Sequence, residues 1–86
     1  MRASHILVSS NEQAQSILAE ATASNFATLA QKHSMCPSKN NGGDLGEFNP
    51  GMMVKPFEDA TLATPLGSIS QPIQTQFGFH LIHRTG

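Results

Sequence analysis

Phe79-His80-Leu81-Ile82-His83-Arg84, near the end of this 86-residue chain, reads as a strong strand, and it answers a second run near the start, Ala3-Ser4-His5-Ile6-Leu7-Val8. Side chains alternate between the two faces of a strand, so His5 and Leu7 share one face of the first run and Ser4, Ile6 and Val8 the other. With both ends of the chain in strands, the expected sheet sets the first and last strands side by side at its centre. That pairing makes His5 and His80 neighbours on one face. A polar ring where an apolar side chain would ordinarily stand needs a hydrogen-bonding partner, and each histidine is the obvious partner of the other.

Between these runs the pattern is helical first. Asn11 is a suitable N-cap, Glu12 suits the positive end of a helix, and Ala14, Ile17, Leu18 and Ala21 recur at helical spacing through Ala23. Ser24-Asn25 caps a second helix carrying Phe26, Leu29, Ala30 and His33 on one face. From Met35 to Asp44 the periodicity collapses into Cys36-Pro37-Ser38-Lys39-Asn40-Asn41-Gly42-Gly43, a loop by composition. Leu45 to Phe48 is a short strand ended by Asn49-Pro50-Gly51, whose Pro and Gly fit a type II turn. Pro56 starts a third helix with Phe57, Ala60 and Leu62 or Ala63 toward the core, and Pro65 stops it. Ser68 to Ile73, with Pro72 inside, is a weak edge strand before the final one. The sum is one α+β domain over residues 1–86.

Composition removes several function classes. A chain this short buries roughly 60% of its unfolded surface, and its five aromatic residues are all Phe, so each must anchor the core or line a binding surface. Net charge is -1, and Arg2, Lys32, Lys39, Lys55 and Arg84 form no basic stripe, which disfavours nucleic acid and anionic membranes. No apolar run approaches membrane-spanning length, and the N-terminus lacks a signal-peptide layout. One cysteine, Cys36, excludes an internal disulfide and suits a reducing compartment, so a soluble cytoplasmic protein is expected, with monomer as the default. No metal is expected either: His80 and His83 point to opposite faces of their strand, and no Cys-x-x-Cys or His-x-x-x-His spacing exists.

The residues left to carry chemistry are His5, Cys36, Thr75, Gln76 and His80, together with apolar Leu45, Met53, Phe57 and Phe77. They suggest a greasy pocket with a polar floor. From the residues alone, a hydrogen-bonded core pair without further function is an equal reading of the histidines. A thiolate nucleophile at Cys36, activated by a histidine, is a third, though no hydrolase signature surrounds it.

Four segments in order resemble the parvulin-type peptidyl-prolyl cis/trans isomerases: Ser4-His5-Ile6-Leu7-Val8; Cys36-Pro37-Ser38 leading to Gly42-Gly43-Asp44-Leu45-Gly46-Glu47-Phe48; Gly51-Met52-Met53-Val54-Lys55-Pro56-Phe57-Glu58; and Thr75-Gln76-Phe77-Gly78-Phe79-His80. The resemblance spans essentially the whole chain and is to the minimal single-domain prokaryotic type. It implies a mixed antiparallel and parallel sheet of four strands surrounded by four helices, in the order strand, three helices, strand, helix, two strands. The shortest helix then falls at Cys36 to Asn40, where composition reads loop.

The resemblance also implies the chemistry, with no cofactor. Met53, Phe57 and Phe77 would form a proline-ring pocket with Leu45 as its wall, and Gln76 would contact substrate. His5 and His80 would be the paired histidines, in a network that includes Thr75 and reaches toward Cys36. Proline-containing peptides and unfolded chains are the implied partners. The phosphate-directed members carry a basic cluster after the first strand, whereas Ser9-Ser10-Asn11-Glu12-Gln13 here has no cation, so neutral or apolar residues before proline are expected. Two positions depart from the family: Met52 stands where Gln is common, and Leu62 where Phe is frequent, which would leave a smaller core anchor. The competing class is a non-catalytic peptide-binding or chaperone module using the same groove.

Overall fold

The two terminal strands lie together because each offers an apolar face in both directions. In the computed structural model, which describes residues 1–86, β1 (Arg2–Val8) and β4 (Gly78–Arg84) pair from Ala3↔Arg84 to Val8↔Phe79. Ile6, Val8 and Leu81 point to one side, where they pack with Ala14 and Ile17 of α1 (Asn11–Glu20) and with Phe26, Leu29 and Ala30 of α2 (Phe26–His33). Ala3 and Ile82 point to the other, against Phe48 and against Phe57 of α3 (Lys55–Ala63). The sheet is thus the middle of three layers. Its strand order is β2-β1-β4-β3, with β2 (Asp44–Glu47) and β3 (Ile73–Thr75) at the edges.

The sheet is antiparallel throughout, not mixed as the resemblance implied. The reason is local. Gln76 and Phe77 alone link Thr75 to Gly78, and so short a link joins only antiparallel neighbours. The segment before β2 likewise doubles back along β1, giving Arg2↔Glu47 and Ser4↔Asp44 with a register shift between them. Three α-helices are present, and the fourth helical element is a 3-10 helix, Pro37–Asn41. It occupies the stretch that composition read as loop.

Other boundaries moved for identifiable reasons. Ser10 rather than Asn11 caps α1, its side chain accepting from the Gln13 N–H at 3.2 Å. Helix α1 stops at Glu20 rather than Ala23. Beyond it, Asn25 turns its side chain back to accept from the Thr22 N–H at 2.6 Å while Thr22 Oγ1 accepts from the Asn25 N–H. Pro72 keeps β3 to Ile73–Thr75, with only an isolated bridge at Ile69 before it. Leu62 is not a core anchor at all: it is 54% exposed, and Thr61 is buried in its place, its hydroxyl donating to the Phe57 carbonyl. The reversal at Asn49-Pro50-Gly51 forms as expected, with Gly51 at φ +93° and the Met52 N–H donating to the Asn49 carbonyl.

Candidate active site

His5 and His80 are not directly opposite one another. His5 faces Ile82 and Leu7 faces His80 across the β1–β4 ladder, so the two histidines are diagonal neighbours on the α3 face. Both are almost fully buried, and their Nδ1 atoms lie 3.0 Å apart. Their ring centroids are 5.2 Å apart with planes inclined by 17°. That centroid distance exceeds the nitrogen separation by about two ring radii, so the rings meet edge to edge through an in-plane hydrogen bond rather than face to face. Phe57 stands across the seam, its ring nearly perpendicular to both imidazoles, at centroid distances of 5.5 Å from His5 and 5.3 Å from His80.

The outer nitrogens are also engaged. His80 Nε2 lies 2.7 Å from Thr75 Oγ1, which also accepts the Phe77 N–H at 3.2 Å. His5 Nε2 lies 3.2 Å from Ser38 Oγ. The network implied to reach toward Cys36 ends on Ser38, two residues further along, with no hydrogen bond to the Cys36 side chain. No buried side-chain polar atom in the protein lacks a partner. Burial, reinforced by the charge His80 would carry, pushes the His5 pKa down to about 4; burial lowers that of His80 as well. At neutral pH the pair is two neutral rings.

A cavity of about 520 Å³ opens over this floor. His5, His80, Cys36, Leu45, Met53, Phe57 and Phe77 line it, as do Leu7, Met35, Pro37, Met52 and Val54. Of the residues nominated from the sequence, the fold gathers all but two into the lining. Thr75 stands behind the floor on His80, and Gln76 is exposed at the hairpin tip, away from the lining. No charged side chain lines the cavity. Both histidines have committed their ring nitrogens, which leaves the Cys36 sulfur as the one uncommitted polar group of the lining side chains.

Each side chain is held by an element with a reason to be there. Cys36 is set beside β1 by Ser34, whose buried hydroxyl oxygen accepts from the Leu7 and Cys36 N–H groups, while the Met35 N–H donates to the Leu7 carbonyl. Met52 and Met53 are held by the turn before α3, where Glu58 accepts from the Gly51 N–H. Phe57 enters from the first turn of α3, started by Pro56. Leu7, Met35, Val54 and Ser38 were missed from the sequence. Leu7 was legible, because it lies two residues from His5 on the same strand face. Ser38 was not, since nothing in its neighbours tells which way a 3-10 helix turns it.

Comparison with known proteins agrees with this geometry. The profile of the PPIC-type PPIase (rotamase) domain matches residues 5–86. The foldase protein PrsA of Caldanaerobacter subterraneus subsp. tengcongensis is 46% identical over 88 residues, covering 100% of this chain and 29% of the relative. Peptidyl-prolyl cis-trans isomerase Pin1 of Digitalis lanata is 52% identical over 61 residues, 71% of this chain and 52% of the relative. Among solved structures, NmPin, the parvulin of Nitrosopumilus maritimus, superposes with a TM-score of 0.82 at 40% identity, covering 100% of this chain and 95% of that one. PrsA from Bacillus anthracis gives 0.91 at 40% identity, covering 100% and 41%. The chain spans about a third of the length of the PrsA foldases it matches. The match across residues 5–86, on a fold shared with solved parvulins, makes this chain a member of the parvulin, or PPIC-type peptidyl-prolyl isomerase, family.

Proposed function

We propose that this domain accelerates cis/trans rotation about Xaa-Pro bonds in peptides and flexible protein segments, without phosphate direction. The observation that carries the proposal is an uncharged apolar cavity set directly over a neutral, internally satisfied histidine pair. The reaction breaks no bond. Its barrier of roughly 20 kcal/mol is lost amide resonance, and uncatalysed exchange takes tens of seconds. An enzyme lowers it by holding the ring while the preceding carbonyl swings and by binding the twisted amide more tightly than either planar form.

In this reading Met53, Phe57 and Phe77 hold the proline ring, with Leu45 as wall. Water is excluded, which favours the twisted amide because it is less polar than the planar one. The histidine pair is floor rather than acid or base: its ring nitrogens are all occupied, and burial keeps both rings neutral. Cys36 then supplies the polar contact to the moving carbonyl.

The absence of cations from the lining supports a preference for neutral or apolar residues before proline. Exposed Met52 and Met35 at the rim, 65% and 55% exposed, add flexible apolar surface that adapts to different side chains there. A lone thiol is compatible with a reducing cytoplasm, and monomer is the default for a domain of this size; cell fractionation and sedimentation test the two.

Magnetisation-exchange spectroscopy on matched proline peptides tests the reading. The expected result is accelerated exchange, faster for Ala or Leu than for phosphoserine before proline. Binding without acceleration would leave a peptide-holding module instead, and faster turnover of the phosphopeptide would overturn the specificity.

A further inference from the structure

We infer that Glu58 is a positioning residue for the isomerisation, setting the gap between Met53 and Phe57 across the proline pocket; this rests on the isomerase reading above. The segment that carries Met52 and Met53 has little else to hold it. Residues 49–53 lie between β2 and α3 and make three hydrogen bonds, two of which close within the turn. The Met52 N–H donates to the Asn49 carbonyl at 3.1 Å, and the Asn49 N–H to the Met52 sulfur at 3.3 Å. Only the third leaves the segment: the Gly51 N–H donates to Glu58 Oε1 at 2.5 Å, seven residues further on. A carboxylate acceptor makes this a charge-assisted bond, stronger than a neutral one.

Glu58 stands in the first turn of α3, one residue past Phe57, which is buried in the core on the α3 side of the sheet. Its carboxylate thus ties one wall of the pocket to the helix that carries the other. Packing holds the two methionines unequally: Met53 is half-buried against the Phe48 and Phe57 cluster, while Met52 is 65% exposed. With the segment untied, the pocket would be closed for only part of the time, and substrate binds only that fraction, so apparent affinity falls by it. Once proline is seated the pocket is closed in ground and transition states alike, so the loss falls on KM and spares kcat. An acid in the first turn also favours the helix dipole, which is a different role for the same carboxylate. The two are separable: Asp keeps the charge but is one methylene too short to reach Gly51, whereas Gln keeps the acceptor oxygen and loses the charge.

Isomerase kinetics on a proline peptide, read with carbon-13 methyl spectra of the methionines, decide the matter. Glu58→Ala and Glu58→Asp should each raise KM about fivefold, the worth of one hydrogen bond, with kcat within about twofold of wild type. Both should also move the Met52 and Met53 methyl signals toward their unfolded-chain positions. Glu58→Gln should hold KM within about twofold of wild type and leave both signals in place. The inference is overturned if Glu58→Ala and Glu58→Asp leave KM unchanged, if Glu58→Asp matches wild type while Glu58→Gln does not, or if KM rises with the methyl signals unmoved. Should Glu58→Ala not fold, Glu58→Asp and Glu58→Gln still decide. A wild-type protein without isomerase activity would sink the isomerase reading instead, and the methyl signals of the variants would still report whether Glu58 holds the segment.

Discussion

Cys36 borders the cavity without a fixed partner, and its neighbours His5 and His80 have no free ring nitrogen with which to activate it. A nucleophilic role would need such a base. Cys36→Ser and Cys36→Asp are therefore expected to retain exchange activity, within about tenfold of wild type, the span of one lost polar contact. Total loss in a folded Cys36→Asp protein would show that the thiol attacks. His5, Cys36, Phe57 and His80 were all legible from residue type and register. Ser38 was hidden because its contact with His5 depends on how the 3-10 helix turns it, and Gln76 was misplaced because the two-residue β3–β4 link turns it outward.

Gly43 joins the segment after the 3-10 helix to β1. At φ +81°, with the His5 carbonyl where a Cβ would go, it tolerates no side chain. Gly43→Ala is expected to cost about 2–4 kcal/mol in urea unfolding and to shift the His5 imidazole signals even where the protein stays folded. A change below about 0.5 kcal/mol would mean the connection is looser than its geometry. The helices and the central strands were readable from their apolar spacing, because burial repeats along them. The 3-10 helix has no buried residue to repeat, so no period betrays it. The antiparallel sense of the edge strands was legible in one place only, the brevity of the link between Thr75 and Gly78.

The folded protein should lose stability on mild acidification. The His5 pKa falls from 6.5 to about 4 on folding, so between these values the unfolded chain takes a proton that the folded one refuses. Stability is then at its full value above about pH 6.5 and declines as pH drops toward 4, by on the order of 3 kcal/mol from His5 alone. His80 adds to the decline in the same direction. Asp44, held below the usual carboxylate range first by its hydrogen bond from Arg2, responds only at lower pH. Urea melts at pH 7, 6, 5 and 4 check this, and a midpoint flat across that range would contradict it. Charging one ring ends the neutral floor, and charging both sets proton against proton at the 3.0 Å contact, so activity should fall in the same window.

The β1–β4 pairing has a mechanical consequence. The chain ends meet, with the Arg2 N–H donating to the Gly86 carbonyl and the Thr85 N–H to the Arg2 carbonyl. Tension applied through the two ends loads this ladder in unzipping geometry, one hydrogen bond after another, instead of shearing all of them together. The peel meets Ala3↔Arg84, then Ser4↔His83, then His5↔Ile82. Optical-tweezer extension should therefore rupture the domain at low force, and a high-force shear event would contradict this. Because His5 sits at the third pair from the end, peeling that far, at roughly 3.4 Å per residue freed on each strand, takes about 20 Å of extension, and the imidazoles part early in the rupture, making the site sensitive to tension applied through the ends.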